Sequence, residues 1–276
     1  MVKGLNVFRD YFSEYTEQYV LIGGAACDIS FHENDMDFRV TKDFDMVLIV
    51  EALTETFALK FWQFIQDGKY RNKCRSNGKP QFYRFDKPET AGYPTMIELF
   101  SRSSWKLKPD SVLIPIPIND SVSSLSAILL DDNYYQILLE GRDIIDGISV
   151  LKPTFLIIFK AKAWLDLNQK AEQGEHINSR DIKKHRNDIL KISSEMILEK
   201  YQLPSAVKKD MTDFIEKFHV SDAELKNLKI TGVHEKDIIN ILKQTLCLWK
   251  TRQTKTAISN KTQKYLYSSG KDAYTL

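Results

Sequence analysis

Cysteine is scarce in this chain, and the three present, Cys27, Cys74 and Cys247, lie far apart with no CxxC pair among them. That spacing excludes a disulfide framework and a thiolate zinc site, and it points to a reducing compartment. Long apolar runs are missing as well: none approaches the roughly 18 to 20 residues that span a bilayer. The opening MVKGLNVFRDYF lacks the apolar core of a secretion signal. The expected location is therefore cytoplasmic, with no membrane partner. Nor is there an excess of one charge. Lys and Arg number 39 against 37 Asp and Glu, a formal net charge of +2, so no global field draws in nucleic acid, although a local basic face remains open. No internal repeat is present. What remains is 276 residues at 43% hydrophobic and 28% charged, the make-up of an ordinary globular protein with one large or two moderate domains.

Apolar residues at Leu5, Phe8, Phe12 and Tyr15 predict an amphipathic helix over 5–16. Tyr19 to Ile22 reads as a short buried strand ending at Gly23-Gly24, with Ala25 and Ala26 opening a helix. Asp45 to Val50 is a second strand and Leu53 to Ile65 a helix. Two short segments are expected between Tyr70 and Phe85 around the loop Ser76 to Pro80. TMIELF, residues 95–100, is a strand with Glu98 in its middle. The runs SVLIPIPI, SAILL, YYQILLEG and GISVL between 109 and 151 read as edge strands and connections, because proline is excluded from central strands.

Past Pro153 the pattern becomes helical. The proline suits a first turn, and FLIIFKAKAWLDLNQKA follows it. Ser179 is the expected cap of a helix carrying RDIKKHRNDILKISSEMI, with further helices over 205–218 and 236–250 and a polar, partly disordered tail from 251. The expected fold class is α+β: a mixed β-sheet domain flanked by helices over residues 1–151, then an α-helical domain over 152–276.

Two local patterns carry chemistry. Asp43 and Asp45 stand at i and i+2, so on a strand their carboxylates share a face. If Glu98 lies on a neighbouring strand, three carboxylates meet at one end of the sheet, a donor set suited to a hard cation such as Mg²⁺ together with substrate phosphates. Gly23-Gly24, at a strand-to-helix turn, lets backbone N–H groups reach phosphate oxygens with no Cβ in the way.

The order strand, Gly23-Gly24, helix, loop, Arg39-Val40-Thr41-Lys42-Asp43-Phe44-Asp45, strand, and then Glu98 in TMIELF resembles the DNA polymerase beta-like nucleotidyltransferase superfamily. Downstream, FKAKAWLDL and RDIKKHRNDILKI look like the Lys-containing and Asp-containing helices of AbiEii-type nucleotidyltransferases, the toxin components of type IV toxin–antitoxin pairs. The matching segments span residues 20 to 190.

The resemblance implies a nucleotidyltransferase-type sheet domain closed by helices. It implies an activity that moves a nucleotidyl group from a nucleoside triphosphate to a hydroxyl of tRNA, another nucleic acid or a protein, with Mg²⁺ or Mn²⁺ as cofactor and a cognate antitoxin as partner. On the residues, it places Gly23 and Gly24 at the triphosphate, with Arg39 and Thr41 as further nucleotide-binding candidates. Asp43, Asp45 and Glu98 become metal ligands, Lys160 (preferred over Lys162) neutralises phosphate, and Asp188 completes the site. Where the family often has a small hydroxyl residue after the first glycine, this chain has Gly24-Ala25-Ala26, so a hydroxyl contact to phosphate must come from elsewhere. Transfer to a small molecule of aminoglycoside type, and an inactive binding module, are the alternatives.

Several residues carry a plainer reading beside the sharp one. Arg39 and Thr41 also fit an exposed loop pair, and Lys160 and Lys162 fit side chains running along a helix surface. Lys183, Lys184, His185 and Arg186 fit a solvated helix face as well as a phosphate contact. His185, three residues before Asp188, suits a local hydrogen bond as well as a catalytic role. The four tryptophans fit core or interface positions, and Cys27 a small buried apolar site.

Overall fold

A computed structural model describes residues 1–74, 80–102, 128–129 and 131–248, with residues 72–74 and 80–83 described by backbone alone. The loop 75–79, the run SVLIPIPI, most of SAILL, Trp105, Trp249 and the tail from 251 lie outside the described residues.

Seven strands form one mixed sheet among the described residues: β1 Tyr19–Ile22, β2 Asp43–Leu48, β3 Arg71–Cys74, β4 Pro80–Asp86, β5 Met96–Phe100, β6 Arg142–Ile145 and β7 Ile148–Leu151. Their spatial order is β3-β4-β5-β2-β1-β7-β6. β2 is antiparallel to β1 and parallel to β5, β1 is parallel to β7, and the remaining pairs are antiparallel. The helices are α1 Leu5–Phe12, α2 Gly23–Glu33, α3 Glu55–Asp67, α4 Asp132–Glu140, α5 Pro153–Glu172, α6 Ser179–Glu195, α7 Ser205–Lys217, α8 Asp222–Asn227 and α9 Glu235–Thr245.

One face of the sheet is aromatic. Phe8 meets Phe44 edge-on at 5.1 Å, Phe12 meets Phe64 at 5.2 Å and Phe61 meets Phe85 at 5.6 Å, packing α1 and α3 onto β2 and β4. Side chains alternate along a strand. With Phe44 turned into this layer, Asp43 and Asp45 face the other way, where α5 packs against α2 and α6 against α5. The site therefore owes its side of the sheet to an aromatic layer on the opposite side. The buried core runs without a break from Val2 to Leu246, through both halves of the chain.

Several elements differ from expectation, α8 among them, which was not expected. YYQILLEG belongs to α4 and is no strand: Asp131 caps the helix, its carboxylate accepting from the N–H of Asn133 (2.8 Å) and Tyr134 (3.4 Å). Tyr134, Tyr135, Ile137 and Leu138 are buried at helical spacing, so packing overrides the β preference of the tyrosines and isoleucine. β6 was not expected. It turns into β7 through Asp146-Gly147, both at positive φ (49° and 74°), a two-residue hairpin that Asp-Gly favours. α1 stops at Phe12 and a 3₁₀ stretch continues to Gln18. Asn178 caps α6 in place of Ser179, its side chain accepting from Arg180 N–H at 3.0 Å. Trp62 and Trp164 pack on phenylalanines, against Phe85 at 6.0 Å and Phe214 at 5.4 Å, in keeping with core positions. No helix among the described residues is long and apolar enough to cross a membrane.

Candidate functional site

A single register row crosses the sheet. Ile22 of β1 is opposite Asp45, Asp45 is opposite Glu98 of β5, and Glu98 is opposite Arg84 of β4. Strand pairing alone therefore brings two carboxylates side by side. Arg84 forms an ion pair with Glu98, which leaves Asp45 without a comparable partner in the row. Loss of water and the neighbouring Glu98 charge push the Asp45 carboxyl up to about 7, against the pull of Lys184 and Lys160 and with a further push from Asp43.

Gly23 and Gly24 stand where β1 gives way to α2. Gly23 has φ +67°, and a Cβ there would lie 2.1 Å from Oδ2 of Asp45. A Cβ on Gly24 would lie 2.5 Å from Oγ1 of Thr41 and 3.4 Å from Nη2 of Arg39. The two glycines thus admit the acid, the hydroxyl and the guanidinium to the start of α2. No side chain caps that helix start and its first turn holds no acidic residue, and a helix N-terminus of this kind favours an anion.

Arg39, Lys160 and Asp188 meet in a cluster that is buried at Lys160 and Asp188 and part-exposed at Arg39. Arg39 donates from Nε to Oδ1 of Asp188 at 2.6 Å and from Nη2 to Oδ2 at 2.8 Å, and Lys160 Nζ donates to the same Oδ2 at 2.7 Å. Lys160 is 5% exposed and Asp188 2%. Burial alone would raise Asp188, but Lys160 and Arg39 outweigh it and hold the carboxyl at about 2. Burial likewise works against the Lys160 ammonium, and Cys27 and Asp188 together hold it above the usual lysine range. Lys162, about 200° around the helix, points elsewhere, to Asp166 at 2.9 Å and Asp210 at 3.6 Å. That settles which lysine faces the cluster. Arg39 is no exposed loop residue, and Cys27 is buried beside Lys160, its thiol pushed up to about 11 by burial.

A cavity of about 440 Å³ opens over Asp45 and Glu98 between the sheet and α5 and α6. Leu156, Phe159, Lys160, Ala163, Leu167 and Lys170 line it from α5, a stripe at helical spacing about 21 Å long at 1.5 Å per residue. Gly23, Ile22 and Phe100 form its floor with the carboxylates, and Asp181 and His185 face it from α6. Burial, then the Lys160 charge, press His185 down to about 3, so it is neutral across the physiological range. Its Nδ1 is buried with no hydrogen-bond partner. Arg186 is bound to Glu224 and to the His219 carbonyl, whereas Lys183 and Lys184 are exposed.

The sequence-derived candidates thus sort into Asp45 and Glu98, which line the cavity, Asp43 two residues earlier on β2, which does not, and Arg39, Lys160 and Asp188 in the cluster, of which Lys160 reaches the cavity. Arg84, Phe100, Phe159 and Lys170 were not among the candidates, and His185, weighed for a local hydrogen bond or a catalytic role, faces the cavity. Only strand register could have pointed to Arg84, and only the α5 spacing to the apolar wall. Among the described residues, no group of three or more His, Cys, Asp or Glu side chains is arranged to hold a metal ion.

Among solved structures, the chain is similar to an antigenic nucleotidyltransferase-like protein from Paracoccidioides brasiliensis. The identity is 15% over 82% of this chain and 93% of that chain, with a TM-score of 0.35. No protein-family model matches the chain, and no curated protein matches it.

Proposed function

We propose that this chain is a nucleotidyltransferase that binds a nucleoside triphosphate in the cavity over Asp45 and transfers its nucleotidyl group to a hydroxyl acceptor, releasing pyrophosphate. One observation carries the reading: the charge layout about Gly23, with Asp45 and Glu98 on the cavity floor, Lys160 in its wall, and Arg39, joined to Lys160 through Asp188, beside Gly24 at the uncapped start of α2. In this reading the N–H groups of Gly23 and Gly24, the Thr41 hydroxyl and the Arg39 and Lys160 cations bind the triphosphate. The apolar wall of Phe100, Phe159 and Leu156 shields the reacting phosphorus from water.

The donor chemistry of Asp43 and Asp45 fits a hard divalent cation whose other ligands are phosphate oxygens and water. Asp45 has no basic partner in its register row and its charge is opposed by Glu98, which a cation would relieve. Glu98, tied to Arg84, adds negative potential and is less free to bind a metal. Mg²⁺ or Mn²⁺ held there would neutralise charge on the triphosphate and the departing pyrophosphate. By the sequence resemblance, the acceptor is tRNA, another nucleic acid or a protein side chain, and the chain acts as the toxin of a toxin–antitoxin or phage-defence pair.

Incubation with labelled nucleoside triphosphates and Mg²⁺ tests the reading. Label on RNA or protein supports it, label on an aminoglycoside moves the acceptor to small molecules, and no label on any acceptor leaves a nucleotide-binding module. Asp43→Asn with Asp45→Asn is expected to abolish transfer with circular dichroism unchanged; full transfer by that variant overturns the metal assignment.

A further inference from the structure

Asp188 is almost fully enclosed, yet it does not line the cavity; Lys160, to which it is bonded, does. Both of its oxygens are engaged, Oδ1 by Arg39 Nε and Oδ2 by Arg39 Nη2 and Lys160 Nζ. A metal ion or substrate hydroxyl would have to displace two cations from a buried acid, and breaking such a pair leaves a buried charge uncompensated. We infer that Asp188 is a positioning residue that touches neither substrate nor metal and acts by holding the Arg39 guanidinium beside Gly24 and the Lys160 ammonium at the cavity wall. This inference rests on the reading of the cavity as a triphosphate site.

The geometry explains how one acid serves two cations. Arg39 and Lys160 repel each other, and without a shared counter-charge they would separate. The planar fork of arginine closes on one carboxylate with two parallel bonds, which fixes orientation as well as position. Three segments are joined in this way: the connection before β2, α5 and α6. The cluster keeps one net positive charge, which an incoming phosphate can neutralise without first ordering two long side chains, each of which would otherwise lose rotamer freedom on binding.

The test compares full-length wild type, Asp188→Asn and Asp45→Asn in two binding measurements. Mn²⁺ alone is titrated by electron paramagnetic resonance, and a non-hydrolysable nucleoside triphosphate analogue with Mg²⁺ by calorimetry from pH 6 to 9. For Asp188→Asn the expected result is unchanged Mn²⁺ affinity and analogue affinity lowered about 10- to 100-fold, the scale of a misplaced binding group. Its analogue binding should also fall further as pH rises, unlike wild type. Lys160 then faces Arg39 from the β2 connection, His185 from α6 and the thiol Cys27 from α2, with no carboxylate bonded to its ammonium and Asp45, Glu98 and Asp181 the acids that share its cavity. Mn²⁺ affinity lost as in Asp45→Asn would make Asp188 a metal ligand and overturn the inference, as would unchanged analogue binding. If Asp188→Asn does not fold, Arg39→Gln, at a site one-third exposed, tests the same link: weakened analogue binding with intact Mn²⁺ binding supports it, and unchanged analogue binding overturns it. Wild type that binds Mn²⁺ but no analogue overturns the triphosphate reading, and this inference with it.

Discussion

Asp45 and Asp188 both lose water on folding, and their neighbours decide the outcome. Asp188, with two cations on it, is held at about 2 against an ordinary 3.8. Its contribution to stability is present above about pH 4 and is lost as pH falls through 2. Asp45, raised from 3.8 to about 7, has the opposite sign. The native state keeps a proton that the unfolded chain has released, so stability falls as pH climbs from 4 through 7, by a few kcal/mol at most. Melts without divalent cation are therefore expected to give a higher midpoint at pH 5 than at pH 8. Asp45→Asn should remove most of that slope, and Mg²⁺ or Mn²⁺ should raise the pH 8 midpoint of wild type but not of the variant. Gly23→Ala places a methyl group on the Asp45 carboxylate and a side chain at φ +67°, a strain of roughly 1–2 kcal/mol before the clash is counted. Chemical denaturation should report at least that loss, together with loss of nucleotide-analogue binding. The acid pair and the glycine pair could be read from the chain because each is local in sequence. The Glu98–Arg84 and Arg39–Asp188 pairs could not, since the first depends on strand register and the second joins residues 149 apart.

At the scale of elements, β6 ends one side of the described sheet and carries Ile144 half-exposed at 53%. The Asp143 carboxylate accepts from the Ile144 N–H at 2.8 Å, so a backbone donor that could pair with another chain is occupied locally, and a charge stands beside the apolar side chain. Asp143→Val should promote edge-to-edge association, visible as concentration-dependent light scattering with little change in the monomer's melting temperature. On α5, Ala163 lies on the cavity stripe. Ala163→Met should intrude on the cavity and weaken analogue binding with a midpoint near wild type; unchanged binding would remove the stripe from the ligand site. The long periodic helices α5 and α6 were legible because their length and apolar spacing agree. α4 was not, because YYQILLEG is rich in β-favouring residues and only the Asp131 cap and the packing of its tyrosines make it a helix.

At the scale of the molecule, the core passes unbroken between the sheet and the helices, and the site draws on both. Cooperative units follow packing more closely than composition, so a chain ending at residue 151 is expected to leave α2 and β2 without their cover and not to fold. In the whole protein, urea transitions by tryptophan fluorescence and by far-UV circular dichroism should coincide; separated midpoints would show two independent domains. The Arg39–Asp188 contact has a further consequence during synthesis. Arg39 leaves the ribosome 149 residues ahead of its partner, which at about 5–20 residues per second is a wait of roughly 7–30 s. Through that interval the nascent chain holds its glycine turn and acidic strand without Asp188, and until α5 is made without Lys160, so the cation cluster closes only after α6 has emerged.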